Sequence, residues 1–143
     1  MRSVLMVWTL MCLISFTGIA QTNNLAEDGE YITYHENGKK DAVFNMKAGV
    51  ADGQVSFFYP SGIQKETGAF VDGKRHGKWL KWDETGKTII SEAHYAAGKK
   101  DGTWKIFDEN GTLRFEMHYN KGKKIGKWIQ YNEQGEVTST KTY

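Results

Sequence analysis

His94 and His118 stand 24 residues apart, each one residue before a tyrosine, Tyr95 and Tyr119. A pair of imidazoles is the usual beginning of a zinc site or an acid–base couple. Neither use finds its remaining parts here. Residues on alternate strands of one sheet are roughly 10 Å apart, too far for both rings to reach a metal whose Zn–N bonds are about 2.0–2.1 Å. Glu92, Glu116 and Arg114 alongside make a hydrated polar face the simpler reading. His35 and His76 lie in or beside turn-forming residues, with no third ligand in metal spacing. Asp108 and Glu109 form a carboxylate pair, but on a turn open to water, where neither pKa is driven toward a catalytic value. The sequence contains no G-x-S-x-G, no H-E-x-x-H, and no glycine loop opening a helix to cradle phosphate. No enzyme, cofactor or metal centre is expected.

What remains is the chemistry of surfaces. Trp79, Trp104 and Trp128 recur at one spacing. Such rows either pack against one another or stack on sugar rings, and packing is the favoured reading for so small a domain. Trp82 stands where the other units carry Phe or Tyr, which makes it the best single contact candidate. Basic residues gather in another set of positions: Lys74, Arg75, Lys99, Lys100, Lys121, Lys123 and Lys124. Acidic ones gather in a third: Glu36, Asp83, Glu84, Asp108, Glu109 and Glu133. A basic rim suits an anionic surface or polymer; solvated turns that keep sheet ends soluble are the plainer alternative.

The glycines show how these residues are held. Gly29, Gly53, Gly77, Gly102 and Gly126 recur every 24 or 25 residues, and Gly38, Gly62, Gly86, Gly111 and Gly135 follow nine residues behind them. Gly49, Gly73, Gly98 and Gly122 each precede the next unit by four residues; past the N-terminal stretch only Gly68 breaks the pattern. A period of this length marks a repeat protein. Two residues after each leading glycine come Tyr31, Val55, Trp79, Trp104 and Trp128; five after come Tyr34, Phe58, Trp82, Phe107 and Tyr131. The units close on Met46, Phe70, Tyr95, Tyr119 and Tyr143. Aromatic and β-branched runs separated by Asx-Gly turns such as Glu36-Asn37-Gly38 and Asp108-Glu109-Asn110-Gly111 predict hairpins. Leu113, Phe115, Met117 and Tyr119 alternate with polar residues, as one strand of a half-buried sheet does. The fold expected is all-β, a single-layer antiparallel meander of about ten strands built from tandem hairpins. Offsets of two and five cannot share one face of a regular strand, so either a bulge intervenes or both faces carry aromatics.

The pattern G-x-W-x-x-[YWF]-x-x-x-G followed by an aromatic and G-K-x-x-G resembles the MORN repeats, and more closely the bacterial variant repeats of the YwqK-like antitoxin type. It is carried by Gly77-Lys78-Trp79, Trp82, Gly86, Tyr95, Gly98 to Trp104, Phe107, Gly111, Tyr119, Gly122-Lys123 and Gly126-Lys127-Trp128. The first two units depart from it, with Val55 in place of the tryptophan and Met46 in place of the closing aromatic. The resemblance implies an elongated hairpin sheet over 29–143, in units 29–52, 53–76, 77–101, 102–125 and 126–143. It implies no catalytic residues, since the shared positions are structural.

The N-terminus reads as an export signal. Arg2 is followed by a mostly apolar stretch from Val4 to Ile19, and Gly18-Ile19-Ala20 places small residues ahead of a cut before Gln21. An uncleaved anchor is the alternative. Residues 21–28 then form a lead-in. Cys12, the one cysteine, falls inside the signal after Leu10 and Met11, unlike a lipidation site, so the exported chain is expected to be cysteine-free. Without Arg2, 18 basic residues face 17 acidic ones, a balance that argues against a nucleic-acid partner. The expectation is a periplasmic, cell-surface or secreted repeat domain that binds a protein, as an envelope adaptor or toxin-immunity partner. Glycan or cell-wall binding through the aromatic rows and anionic-lipid association through the basic rim are the alternatives. The last strand, Val137 to Tyr143, reads as a soluble cap or as an edge open to a partner strand.

Overall fold

Short strand-favouring runs punctuated by turns every dozen residues leave the backbone one economical way to satisfy its hydrogen bonds, the up-and-down hairpin sheet. The structure, a computed structural model, describes residues 28–143 and shows that sheet. The strands are β1 (Asp28–Tyr34), β2 (Lys40–Lys47), β3 (Val50–Phe58), β4 (Gln64–Val71), β5 (Lys74–Trp82), β6 (Ile89–Ala96), β7 (Lys99–Lys100), β8 (Gly102–Phe107), β9 (Leu113–Asn120), β10 (Lys123–Tyr131) and β11 (Val137–Thr142). All pairings are antiparallel between sequence neighbours, in one open 11-stranded sheet; β7 pairs β6 just ahead of β8. The expected signal at 1–20 and most of the lead-in at 21–28 lie outside the described residues.

Both kinds of turn follow from local chemistry. At one edge, Ala48, Asp72, Ala97 and Lys121 have φ of 48° or 49°, and the glycine after each also has positive φ. Two successive positive φ values are what a two-residue type I′ hairpin requires, and its twist matches that of the strands. Asp28, Asp52 and Asp101 accept hydrogen bonds from the amides of Ala48, Asp72 and Lys121 at 2.7, 3.2 and 2.9 Å, tying each turn to the unit before it. At the opposite edge, Asp108 Oδ1 accepts from the amides of Asn110 and Thr112, and Asn132 Oδ1 from those of Gln134 and Glu136. These are side-chain-closed Asx turns.

Among the described residues the first unit is bulged once and each later unit twice. One register shift falls between Thr33 and Tyr34, and equivalently between Phe57 and Phe58, Lys81 and Trp82, Ile106 and Phe107, and Gln130 and Tyr131. The second lies at the leading glycine: Leu80 and His76 are opposite Thr67 and Ala69, and Ile129 and Ile125 are opposite Glu116 and His118. Gly53, Gly77 and Gly126 therefore lie within strands. They occupy the bulge at positive φ, a conformation the tryptophan-bearing strand needs there. The shift that falls between the two aromatic positions is the other one, just before offset five. Position two enters a continuous stack, and none of Tyr34, Phe58, Trp82, Phe107 or Tyr131 joins it.

The core lies on one face, centred on Val55, Trp79 and Ala93, with Phe44, Phe57, Phe70, Tyr95 and Trp104 packed around them. Gly68, the glycine outside the repeat register, is buried directly beneath Trp79, and a Cβ there would overlap the indole carbons. It exists to let the largest side chain of the core lie against the backbone of the neighbouring strand.

Candidate interaction surface

Alternate strands place equivalent residues roughly 10 Å apart, a gap that one ring on the strand between can bridge. The closing tyrosines do this. Tyr95 lies 6.1 Å from Trp79 and 5.2 Å from Trp104, and Tyr119 lies 5.6 Å from Trp104 and 5.2 Å from Trp128. Tyr143 ends the row 4.9 Å from Trp128. Toward the N-terminus Phe70, Phe57, Phe44 and Tyr31 continue it. Phe57 and Phe44 take the parts that Val55 and Met46 vacate, because a residue two positions away keeps the same face.

The basic residues divide into two groups. Arg75, Lys100 and Lys124, each two before a leading glycine, lie over rings; Arg75 and Lys100 are half-buried there and Lys124 is exposed. The Arg75 guanidinium lies 3.9 Å from the Trp79 ring and 5.4 Å from Tyr95, while its Nη1 donates to Glu66 at 3.0 Å. Lys100 Nζ lies 4.1 Å from Trp104 and 4.9 Å from Tyr119; Lys124 Nζ lies 4.3 Å from Trp128 and 4.9 Å from Tyr143. The result is an alternation of rings and cations along one face. Lys74, Lys99 and Lys123 form the second group, exposed at the turn tips with Lys121 and, among the described residues, over no ring. A side chain added at Gly98 or Gly122 would meet the Cβ of Lys74 or Lys99, so successive tips stand in a column.

The tryptophans divide too. Trp79 is 1% exposed and belongs to the core; it offers no surface to a ligand. Its Nε1 has no partner, whereas Trp104 and Trp128 donate to the carbonyls of His94 and His118 at 2.9 and 3.1 Å. Trp104 and Trp128 are half-buried with a lysine over each ring. Trp82 is half-buried, and its carbonyl accepts the Tyr59 hydroxyl at 2.7 Å. Burial, with Glu84 and Asp83 nearby, pushes the Tyr59 phenol up, which keeps it a donor.

The acidic rim is thinner than its composition suggests. The Asp83 carboxyl is held below the usual range by the Thr85 hydroxyl, against an opposing desolvation, with further help from the Thr88, Lys87 and Gly86 backbone. For Asp108, desolvation pushes upward but is outweighed by the Thr112 and Asn110 amides and by Arg114. Both carboxylates are committed to their own turns, leaving Glu36, Glu84, Glu109 and Glu133 as the exposed acids of that edge. On the face away from the rings, His94 Nδ1 lies 2.9 Å from the Thr103 carbonyl, and His118 Nε2 lies 3.4 Å from Glu116. His94 pairs across strands with Thr103, and so does His118, whose Nδ1 lies 3.3 Å from the Thr103 hydroxyl, while Glu116 is its neighbour along β9; Lys78 and Glu92 pair across strands at 3.2 Å.

Three contributors escaped the sequence reading: the ring-filling Phe44 and Phe57, the glycine floor at Gly68, and the aspartates before leading glycines. The recurrence of Asp28, Asp52 and Asp101 at one repeat position was the available signal for the last.

Residues 27–47 and 100–121 match the family model described as a MORN repeat variant. Comparison with curated proteins gives no match. In those two segments the chain is similar to MORN repeats, which are generally non-catalytic protein- or membrane-binding modules.

Proposed function

We propose that the chain is an exported, non-enzymatic module that binds a protein in the envelope or outside the cell, as an adaptor or as the immunity partner of a toxin of the YwqK-like type. The observation that carries this reading is the single-layer sheet itself. Its ladder face is closed internally by rings and cations, and its exposed polar turns are arrayed along two edges of opposite charge. Such a surface offers many weak, shape-fixed contacts and no enclosed polar site, which suits a macromolecular partner. The immunity role is restricted to incoming or exported toxins, because a protein sent across the membrane cannot neutralise one in the cytosol. Sugar stacking on the ladder is disfavoured by Trp79 burial and by the lysines that take one face of Trp104 and Trp128.

A second reading, docking on an anionic surface, is supported by the column of Lys74, Lys99 and Lys123. One experiment separates the two. The exported protein, recovered with its processed N-terminus, is used to capture partners from an envelope extract at low and high salt. A single protein retained at both salts supports the module. Binding to anionic vesicles that vanishes at high salt and in a Lys74→Glu, Lys99→Glu, Lys123→Glu variant supports the surface reading. Recovery of the chain from the cytosol alone would sink the export on which both rest.

A further inference from the structure

A meander has two free edges, and those of this one are complementary. Among the described residues nothing pairs with the outer side of β1 or of β11. β1, with sequence DGEYITY, carries Asp28 and Glu30 and no basic residue; β11, with sequence VTSTKT, carries Lys141 and no acidic one. All six residues of β11 are exposed, and it contains no proline to protect the edge. Its one charge does not guard the edge either, since Lys141 Nζ lies 5.0 Å from the Tyr143 ring.

Among the described residues the aromatic row ends on Tyr143. Every closing aromatic from Phe70 to Tyr119 is flanked by the tryptophan of the following unit, whereas Tyr143, 44% exposed, has only Trp128 behind it. Beside it a shallow concavity is lined by Phe115, Met117, Trp128, Gln130, Lys141 and Tyr143. At the other end, Tyr31 begins the row at the position the tryptophans occupy.

We infer that the two edges fit each other: β1 of a second copy of this chain adds to the free edge of β11 and continues the meander head to tail. Carrying the β9–β10 register forward by one unit sets Thr140 opposite Ile32, Ser139 opposite Thr33 and Thr142 opposite Asp28 of the second copy. Tyr31 of that copy then stacks on Tyr143 as Trp128 stacks on Tyr119. Pairing like edges instead would bring two copies of Lys141 onto one edge, or two copies of the acidic Asp28–Glu30 segment onto the other. The contact is heterologous, and because it continues one sheet in one direction it propagates into chains of copies. One shared strand edge is small beside the roughly 1,200–2,000 Å² of a stable complex, so association rises with concentration.

The test is a disulfide across the new register. In the full exported protein with Cys12→Ser, Thr33→Cys and Ser139→Cys are introduced singly and together. Directly opposed antiparallel residues have Cα atoms about 4.5–5.5 Å apart, within disulfide range. On mild oxidation the double variant is expected to give a ladder of dimers, trimers and longer species, and an equimolar mixture of the single variants only mixed dimers. Tyr143 donates its amide to Gly126 at 2.9 Å, so by alternation the amide of Thr140 faces outward. Thr140→Pro in the double variant should therefore abolish the ladder while leaving tryptophan fluorescence and the unfolding transition unchanged. Homodimers of Ser139→Cys or Thr33→Cys alone would overturn the proposal in favour of like-edge pairing. A double variant that stays monomeric on oxidation, with a concentration-independent sedimentation coefficient, would overturn it outright.

Discussion

Trp79 and Trp128 hold the same position in their units and live in different surroundings. Around Trp79 the neighbours are Gly68, Ala93, Phe57, Phe70, Tyr95 and Arg75, and the indole is 1% exposed. Around Trp128 they are Tyr119, Tyr143, Lys124 and, across the β10–β11 pair, Lys141; the ring is half-buried and the strand beyond it wholly exposed. One repeat grammar thus produces a true core in the middle of the sheet and a decorated surface at its end. The difference lies in the residues between the repeat positions. Both rings carry a cation, Arg75 and Lys124, but Gly68 and Ala93 on the flanking strands let Trp79 sink against the backbone, whereas the residue opposite Trp128 is the exposed Lys141.

The largest effect that would break this contrast is truncation of the two rings. Trp79→Ala should cost about 3–5 kcal/mol, the range for a large aromatic removed from a packed site. Trp128→Ala should cost about 1–2 kcal/mol, since less apolar area and one lysine–ring contact are lost. Denaturant unfolding of the two variants measures this, and equal losses would show that the end of the ladder is as much a core as its middle. Hydrogen exchange should sharpen it further, with amides of β10 and β11 exchanging ahead of those of β4 to β6, because stability in a repeat array is a nearest-neighbour sum.

Next in size is Gly68→Ala. The added methyl overlaps the Trp79 indole, and overpacking of a filled site costs about 1–3 kcal/mol. The same experiment separates sterics from backbone preference, because Gly68 is not among the positive-φ glycines. Gly68→Ala combined with Trp79→Ala should therefore recover most of the loss caused by the methyl. Without that recovery, the glycine would have a purpose other than making room.

Gly68 also shows where the sequence stops being legible. Hairpin, turn and repeat period are written in nearest neighbours: alternation, Asx-Gly pairs and a fixed spacing of glycines all act within a few residues of chain. A residue whose purpose is to lie under a ring 11 positions later leaves no local mark. The basic residues were misjudged for a related reason. Lys74 and Lys100 look alike in a list of turn lysines, but their places on the pleat send one to the turn tip and the other over Trp104. Spacing left open whether a bulge intervenes between offsets two and five or both faces carry aromatics, and only the register showed a shift just before offset five and a second at the leading glycine. The aspartates before the leading glycines were visible as a recurrence, yet their partners are amides 20 residues on, across a turn whose geometry composition does not reveal.

The smallest effect concerns the opposite edge and is a matter of pH. The turns that begin at Asp83 and Asp108 are closed by a carboxylate, and the turn that begins at Asn132 by an amide oxygen in the same position. Both carboxyls have folded pKa values below the ordinary 3.8. A depressed carboxylate contributes stability that is full above the unfolded value and is lost as pH falls through the folded one. Acidification below 3.8 should therefore weaken the two turns centred on Gly86 and Gly111 while leaving the one centred on Gly135 untouched. Amide protection of Thr88 and Thr112, compared with that of Glu136 on either side of that pH, reads the difference directly. Asp83→Asn should abolish the response at Thr88 alone, since asparagine keeps the acceptor and removes the titration. A fall at Glu136 as steep as at Thr112 would instead mean that acid loosens the whole sheet, and that the middle and the end of this molecule are not independent after all.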